Sequence, residues 1–329
     1  MEEVAKQAGV SVASVSRVLA GKTVREGVRE RVMAAVEKLN YAPNRAARSL
    51  RSNRSTTIGL IVADVQNEYF TQVCRAVEDA AQQQGYAVFL CNSDEDPEKE
   101  SRYLGLLREE NVAGIIVAPT AETLRRFDAD GAPPPPLPTV VIDRPTARSR
   151  LDTVRIDNGA AAFDLTAHLI GRGRRRIAGI FGENSATARE RHRGFVEALR
   201  ANGLEPAPER TRFVAPRQQA GFEAVHEILA AKRHAPDAVL TSNGLLAAGA
   251  LRAIAQGPLK CPDDLAFATF DDPTWATLVS PTLTVLRQPT HEIGRTATEL
   301  LLARVANPER PPRTITLPHE LVARESSGC

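Results

Sequence analysis

Most of the chain alternates between short apolar runs and amphipathic segments. Beyond residue 55 the apolar runs are continuous, as is typical of parallel strands buried on both faces. They lie at 57–63, 87–92, 114–119, 139–143, 177–181, 238–241 and 265–270. Amphipathic helices are predicted at 70–84, 97–110, 159–171, 188–202, 218–231, 244–256 and 291–306. This alternation predicts an α/β body made of two doubly wound lobes.

The first 21 residues follow a different pattern. Val4 and Ala8 lie four apart and form one apolar edge of a short helix. Gly9 then permits a tight turn, and Ser11 stands where a second helix needs its N-cap. The inward positions of that second helix have helical spacing: Val15, Val18 and Leu19. Two short helices around a glycine turn predict an all-α, helix-turn-helix head. The alternative is a helical hairpin with no role in DNA binding.

The second helix of this head would enter the major groove of DNA. The residues expected at the DNA are Ser11, Val12, Ala13, Ser14, Ser16 and Arg17. On the outer face, Val12 and Ala13 can offer only apolar contacts, whereas Arg17 can form two hydrogen bonds to one guanine. The alternative for Arg17 is a contact to a phosphate.

A basic segment follows a third helix, which is predicted from about Gly27 to Leu39 with Val28, Val32, Val36 and Leu39 on one stripe. Pro43 ends that helix, and Asn44 can cap a short hinge helix. Isolated helices below ~12–15 residues are marginal in water, so this one should fold only when docked in a DNA minor groove beside its copy from a second subunit. The hinge residues expected at the DNA are Asn44, Arg45, Ala47, Arg48 and Leu50, with Leu50 wedged into a base step. A flexible basic linker is the alternative.

Charge divides the chain at the same place as the hydrophobic pattern. Residues 1–55 contain 11 Lys or Arg against 5 Asp or Glu, and the remainder contains 31 against 35. A basic head on a mildly acidic body suits a protein that faces nucleic acid. The charge therefore favours DNA binding over the plain hairpin.

Composition and motifs exclude several classes of protein. With 43% hydrophobic residues the chain is not disordered, and no apolar run reaches the ~18 residues of a membrane span. Without a secretory signal and with four scattered cysteines, it is expected in the cytoplasm, associated with the nucleoid, with reduced thiols. No nucleophile, phosphate-loop, zinc or dinucleotide motif is present, so we expect no catalytic residue, metal or cofactor. The acidic pairs Asp94/Asp96 and Asp263/Asp264 are interpreted as turn or cap residues.

The motifs together resemble the LacI/GalR family of bacterial transcription repressors. In the head and hinge the matching segments are VAKQAGVSVASVSRVL and PNRAARSLR. In the body they are TIGLIVADVQNEYF, GYAVFLCNSDEDPEKE, GIIVAP, VVIDR, ARERHRGFVEAL and FDDPTWATLVSPTLTVLRQP. The resemblance covers nearly the whole chain. It implies a sequence-specific regulator with a periplasmic-binding-protein-like body, acting as a homodimer on a near-palindromic operator with a central C·G step. A solute-binding protein is the alternative, but the DNA-binding head argues against it.

The resemblance also implies where the domains begin and end. The head would span 1–43, the hinge helix and linker 44–55, and the body 56–329. The chain would cross between the lobes near residues 156, 287 and 317. Lobe 1 would comprise about 56–156 and 288–317, and lobe 2 about 157–287 and 318–329. No heptad repeat follows the last strand, so a dimer rather than a tetramer is expected.

A small effector is expected in the cleft between the lobes. Carried over position by position, its contacts would be Asn67, Tyr69, Phe70, Asp143, Arg191, Asn243, Asp271, Trp275 and Gln288. Carboxylates can accept from hydroxyl pairs and aromatic faces can pack on a sugar ring, which suits a sugar. Arg191 could instead pair with a phosphate, so a sugar phosphate stays open. The alternative is that Asp143 and Asp271 cap strand ends and Arg191 pairs with one of them.

The chain departs from the family's pattern at several positions. It begins almost inside the first helix, so that helix lacks a good cap as written, and the start codon is either Met1 or one further upstream. At the third helix the usual capping Ser and following Thr correspond to Arg25 and Val28, a loss of ~1 kcal/mol. In the cleft, Asn243 is followed by Gly244 instead of Asp, and an aromatic position is replaced near Pro216. A less aromatic cleft disfavours a flat purine.

Overall fold

A computed structural model describes residues 1–19, 21–41, 55–131, 133–144, 150–231 and 235–328. The chain divides into two compact units, Met1–Ser55 and Thr56–Cys329, called here the head and the body. The predicted hinge helix and linker at 44–55 lie outside the described residues except for Ser55. None of the helices in the described ranges is long and apolar enough to cross a membrane.

The described part of the head consists of three helices around a small core. They are α1 (Glu2–Ala8), α2 (Val12–Leu19) and α3 (Val28–Lys38). Gly9 ends α1 in the left-handed conformation (φ 64°), which glycine adopts without strain. The Ser11 hydroxyl accepts a hydrogen bond from the Ser14 N–H at 3.2 Å, capping α2. The predicted helix-turn-helix is therefore confirmed.

The core of the head differs from prediction in two details. Val4, Val15 and Val32 are fully buried. Val12, expected on the outer face, packs partly against this core. Leu39, expected in the apolar stripe of the third helix, is 39% exposed because α3 ends one residue earlier.

Two helices of the head start without a side-chain cap. Met1 holds the N-cap position of α1 and Gly27 that of α3, and neither makes a capping hydrogen bond through a side chain. The missing caps agree with the sequence, although the cap of α3 falls on Gly27 rather than Arg25.

The body has two lobes, each with one six-stranded sheet, and its elements are numbered in chain order. Lobe 1 has β1 (Thr57–Val62), α4 (Glu68–Gln83), β2 (Ala87–Asn92), α5 (Pro97–Glu109), β3 (Ile115–Val117), α6 (Ala121–Asp128), β4 (Thr139–Ile142), β5 (Asp152–Ile156), α11 (Thr290–Ala306) and β11 (Thr314–Leu317). Lobe 2 has α7 (Asn158–Gly171), β6 (Ile177–Gly182), α8 (Ala186–Ala201), β7 (Thr211–Val214), α9 (Gln218–Ala230), β8 (Ala238–Thr241), α10 (Gly244–Gln256), β9 (Ala266–Phe270), β10 (Thr284–Arg287) and β12 (Glu320–Val322).

The two sheets share one strand order. It is β11-β5-β4-β3-β1-β2 in lobe 1 and β12-β10-β9-β8-β6-β7 in lobe 2. All neighbours are parallel except β10 and β12. The chain crosses between the sheets after Ile156, Arg287 and Leu317. This confirms the predicted fold class of two doubly wound lobes with a helical head.

Both faces of the inner strands of each sheet are buried, which explains their continuous apolar runs. The apolar run 87–92, also expected to be buried, forms the edge strand β2, which is largely exposed. On β1, Ile58 and Leu60 pack into one apolar cluster and Ile61 into another. On β6, Ile177 and Ile180 are divided between two clusters in the same way. With helices on both faces of these inner strands, most of their positions are apolar.

The apolar pattern misses five strands and one helix, namely β5, β7, β10, β11, β12 and α6. The edge strands β7, β11 and β12 are only partly buried, so they need no continuous apolar run. Strand β5 is buried but contains Asp152 and Arg155. Charged residues in a strand are visible in the sequence, but the partners that permit their burial are not.

Candidate functional site

One side of α2 is open to solvent in the head. Ser11, Ala13 and Arg17 are exposed, and Ser14 and Ser16 are partly exposed. Among the described residues, none forms a hydrogen bond or ion pair with the Arg17 guanidinium. Arg17 therefore presents its donors to solvent, as a residue that recognises a guanine edge must.

The hinge residues expected at DNA cannot be placed in the same way. Asn44, Arg45, Ala47, Arg48 and Leu50 all lie outside the described residues. Their contacts to DNA stay predictions from the sequence.

A cavity of about 220 Å³ lies between the two lobes of the body. It opens at the carboxyl ends of the parallel strands, the usual ligand position in doubly wound sheets. Eight of the nine residues expected at the effector line it: Asn67, Tyr69, Phe70, Asp143, Arg191, Asn243, Asp271 and Gln288.

Trp275 does not line this cavity, contrary to the prediction. It lies in the short helical turn Thr274–Thr277 and packs against an apolar cluster of lobe 2. Its indole ring is only partly buried against that cluster.

Asp143 and Asp271 occupy equivalent positions in the two lobes. Each follows the third strand of its sheet order, and both have a left-handed backbone, with φ of 67° and 69°. Each donates its backbone N–H to the neighbouring strand, Asp143 to the Val154 carbonyl and Asp271 to the Leu286 carbonyl. Both side chains are buried, with 7% and 6% exposed. Each lobe thus contributes one buried carboxylate to the same cavity.

Burial raises the pKa of both aspartates above the ordinary value. For Asp143 the Arg144 guanidinium opposes this rise most strongly, and for Asp271 the Arg191 guanidinium does. Buried carboxylates that lack a full set of partners are strong acceptors for the hydroxyl groups of a ligand.

Arg191 is anchored within lobe 2 rather than paired with either aspartate. Its Nε donates to the Asn158 side-chain oxygen at 2.8 Å, and its Nη1 donates to the Ser242 carbonyl at 2.5 Å. Its guanidinium carbon lies 4.0 Å from the centre of the Phe270 ring, a cation–π contact. These contacts hold the group rigidly at the cavity wall and leave Nη2 without a hydrogen bond among the described residues.

The aromatic wall of the cavity comes from the start of α4. The rings of Tyr69 and Phe70 lie edge to face at 4.9 Å, and both side chains are buried. Burial, with added repulsion from Asp143 and Asp271, raises the pKa of Tyr69 well above the ordinary value. Its buried hydroxyl makes no hydrogen bond of standard geometry within the described ranges, but it lies close enough to the Asp143 carboxylate for that group to raise its pKa further.

Three of the predicted cavity residues also have a structural role. Asn67 caps α4 by accepting from the Tyr69 N–H at 3.2 Å, and Asn243 caps α10 by accepting from the Leu246 N–H at 2.8 Å. Gln288 donates to the Asp271 carboxylate at 2.7 Å. The two caps hold their amide groups at the cavity wall, and Gln288 orients Asp271.

Sequence reasoning missed several polar residues of this site, among them Arg144, Glu95 and Asn158. Arg144 is almost completely buried in the lining, where it donates to the Pro119 carbonyl and pairs with Glu95. Asn158, also buried, orients Arg191. The charged pair Asp143-Arg144 at a strand end was a visible sign that Arg144 belongs to the site. Its partner Glu95 could not be predicted in this way, because it lies 49 residues away in sequence.

The acidic pairs interpreted as turn or cap residues have that role in part. Asp96 caps α5 by accepting from the Glu98 and Lys99 N–H groups. Asp264 accepts from the Lys260 N–H. Asp94 pairs with Lys99 and, in addition, lines the cavity.

The cavity is chemically suited to binding and orienting a small polar molecule. It offers buried carboxylates, a fixed guanidinium, several side-chain amides and an aromatic wall. Within the described ranges, no group of His, Cys, Asp or Glu is arranged to hold a metal ion. The half-buried Cys74 and Cys261 are free thiols whose pKa is raised by burial to about 11.

Two family models match parts of the chain. Residues 1–44 match the model described as bacterial regulatory proteins, lacI family. Residues 166–327 match the model of a periplasmic binding protein-like domain. The chain is 32% identical to the HTH-type transcriptional regulator RegA of Clostridium saccharobutylicum, over 99% of this chain and 98% of the relative. It is 35% identical to the HTH-type transcriptional repressor PurR of Yersinia enterocolitica, over 99% and 96%.

Two solved structures similar to this one are of transcriptional regulators. The Lac repressor bound to ONPG in the repressed state superposes with a TM-score of 0.87 at 26% identity, covering 98% of both chains. The complex of the transcriptional regulator CelR with cellobiose superposes with a TM-score of 0.73 at 29% identity, covering 99% of this chain and 98% of the other. These relatives and these two structural neighbours are regulators rather than enzymes, as expected from a sequence without catalytic motifs.

Proposed function

The chain belongs to the LacI family of bacterial regulatory proteins and is a DNA-binding transcriptional regulator; on that premise we propose that it is a repressor controlled by a small sugar or sugar-derived effector. The effector would bind in the cavity between the two lobes of the body. The observation that carries this proposal is the pair of buried carboxylates, Asp143 and Asp271, that the two lobes direct at one cavity.

The contacts of the cavity favour a polyhydroxyl ligand. Hydroxyl pairs can donate to Asp143 and Asp271, while Nη2 of Arg191 and the amides can donate to ring or hydroxyl oxygens. Tyr69 and Phe70 offer apolar surface for the face of a sugar ring. The cellobiose complex of the structurally similar regulator CelR supports a carbohydrate. A sugar phosphate stays within the proposed class because the free nitrogen of Arg191 could bind a phosphate oxygen.

Calorimetry on cavity variants tests this assignment. Arg191→Ala and Asp271→Ala should each weaken effector binding by about 1.5–3 kcal/mol, since each removes charged hydrogen bonds in a desolvated site. The titrations should run over a panel of sugars and the matching sugar phosphates. Arg193→Ala is the matched control because Arg193 is exposed on the same helix. If both cavity variants bind the effector as the wild type does and still respond on DNA, the assignment is wrong.

We propose that the effector acts by closing the two lobes. A ligand held by Asp143 of lobe 1 and Asp271 of lobe 2 gains all its contacts only when the lobes approach each other. In a dimer, that movement would shift the two first lobes and so the spacing of the hinge helices.

In the proposed DNA complex, α2 lies in the major groove and Arg17 reads a guanine. Arg17→Ala should cost about 1–3 kcal/mol of operator affinity and relax the preference at one base pair. Binding of the variant to an operator series with each position changed in turn measures both effects. Uniform weakening across the series with a shallower salt dependence would instead mean a phosphate contact, and undiminished binding would mean that the docking is wrong.

We further propose that the protein is a homodimer that binds a near-palindromic operator in the cytoplasm. Two heads reading one duplex require a two-fold arrangement of half-sites. The body is the proposed contact, because the head is too small for a stable interface. Large apolar side chains stay exposed on the body, including Phe89 and Leu90 on edge strand β2 and Leu278, which is 81% exposed. Patches of this kind mark protein–protein contacts.

A further inference from the structure

A hydrogen-bonded contact joins the two lobes beside the cavity. The Glu68 carboxylate, at the start of α4 in lobe 1, accepts from the backbone N–H of Thr274 in lobe 2, at 2.9 Å and 3.1 Å for its two oxygens. The Thr274 hydroxyl lies at 3.5 Å and adds little. The residues that make this contact are 206 positions apart in the sequence.

The Thr274 N–H is a donor that an anion can hold. Thr274 is the first residue of the helical turn Thr274–Thr277, whose N-cap position is held by Pro273 without a side-chain hydrogen bond. The first N–H groups of a helix have no partner within it, so an acidic group placed there satisfies one of them. Glu68 therefore caps a helical turn that belongs to the other lobe.

The Glu68 carboxylate is held in position by Gln72 and Thr290, near a point where the chain crosses between the lobes. Gln72, one turn further along α4, donates to Glu68 at 3.3 Å. Gln72 in turn accepts from the hydroxyl of Thr290 at 3.0 Å, at the start of α11. Thr290 follows closely on Arg287, where the chain crosses from lobe 2 to lobe 1. A relay of hydrogen bonds thus runs from the start of α11, just after the chain crosses into lobe 1, to the contact between the lobes.

The relay borders the effector cavity. Glu68, Gln72 and Thr290 line a second, smaller cavity of about 100 Å³, and that cavity shares Tyr69, Asp271 and Gln288 with the first. A change in the separation of the lobes must therefore alter both the contact and the effector site.

We propose that Glu68 and the Thr274 N–H form a clasp that favours the closed arrangement of the lobes and so sets how readily the body closes on its effector. This inference rests on the proposed function, because it assumes that the effector binds the closed body. The clasp and the effector act on the same open–closed equilibrium, so loss of the clasp lowers the fraction of the body that is ready to bind. Effector binding should weaken by on the order of tenfold, the loss expected for one charge-assisted hydrogen bond at a partly exposed position.

The test removes the two halves of the clasp separately. Glu68→Ala removes the acceptor. Thr274→Pro removes the donor N–H, and the backbone suits it because proline is tolerated at the first position of a helix and Pro273 is already extended (φ −64°, ψ 152°). Glu78→Ala, exposed on the same helix α4, and Thr274→Val, which loses only the hydroxyl, are the matched controls.

Two measurements on the full chain report how open the two lobes are, without effector or DNA. Trp275, next to the clasp, is the single tryptophan of the chain, so acrylamide quenching of its fluorescence reports this segment alone. Hydrogen exchange followed by mass spectrometry reports the cavity walls at 63–70 and 182–191. We expect Glu68→Ala and Thr274→Pro to raise quenching of Trp275 and exchange at both walls, and the controls to match the wild type.

The pattern of exchange distinguishes a clasp between the lobes from a purely local effect on the turn. Faster exchange confined to 273–279 would mean a local loosening of the turn and would overturn the proposal, as would no change in either clasp variant. Neither measurement depends on DNA or effector binding, so a failure of the proposed regulatory function would leave this result standing. Once an effector is identified, the two clasp variants should bind it more weakly, and their effect on operator affinity should be opposite to that of the effector.

Discussion

Replacing Asp152 with alanine should destabilise the body by about 3–5 kcal/mol, because it leaves a largely buried arginine without its counter-charge. Asp152 is fully buried on β5. Its Oδ2 accepts from Arg304 on α11 at 2.9 and 3.1 Å, and its Oδ1 accepts from the Arg313 N–H at 2.8 Å just before β11. The one carboxylate therefore ties together three segments of lobe 1 that lie next to the crossings. Urea unfolding followed by circular dichroism measures the loss.

An exposed ion pair on the same helix supplies the control for Asp152. Arg295 and Glu299 are paired one turn apart on α11, and their side chains are 49% and 60% exposed. Removing an exposed pair changes stability by less than about 1 kcal/mol, so Arg295→Ala should unfold close to the wild type. If Asp152→Ala is no more destabilising than Arg295→Ala, the buried pair does not hold lobe 1 together.

Gly249→Ala should destabilise lobe 2 by about 3 kcal/mol, since an added methyl group has no space between α9 and α10. A β-carbon at Gly249 would lie 1.9 Å from the carbonyl oxygen of Gln218 and 2.6 Å from the Phe222 nitrogen, both backbone atoms of α9. Neither helix can yield by rotating a side chain, so the pair must separate. Trp275 packs against the same apolar cluster as these helices, and its fluorescence during urea unfolding reports this lobe.

The same substitution at Gly105 should have the opposite effect. Gly105 lies inside α5 with nothing within 4 Å of an added β-carbon. Alanine there should stabilise by about 0.5–1 kcal/mol because it lowers the entropy of the unfolded chain. Equal effects of the two alanine substitutions would contradict the close packing of α9 on α10.

The architecture could be predicted from the sequence because a strand buried on both faces appears as a continuous apolar run. Runs such as 57–63 and 238–241 contain no charged residue and are mostly apolar, and the structure places both in the interior of a sheet. The positions of Asp143 and Asp271 could also be predicted, since a polar residue that ends such a run must lie at the carboxyl edge of the sheet. Their meeting in one cavity came from the family resemblance, which brings the two lobes together.

The contacts that orient the site could not be predicted in this way. Arg191 is held by Asn158, 33 residues earlier, and by a carbonyl 51 residues later. Nothing in local periodicity or charge indicates which of many polar residues will meet across a fold. Trp275 shows the opposite error. It was expected at the effector because it lies close in sequence to cavity residue Asp271, but it packs against an apolar cluster of lobe 2.

The three crossings between the lobes have a consequence for how the chain folds during its synthesis on the ribosome. Lobe 1 begins with β1 but is completed only by α11 and β11, which are synthesised after nearly all of lobe 2. Helix α11 packs so tightly on α4 that a β-carbon at Gly294 would lie 2.6 Å from that of Ala76. Until α11 emerges, that face of the nascent lobe stays uncovered and prone to aggregate. The chain therefore cannot fold lobe by lobe as it emerges, and a nascent chain stalled before residue 290 should depend on chaperones to stay soluble.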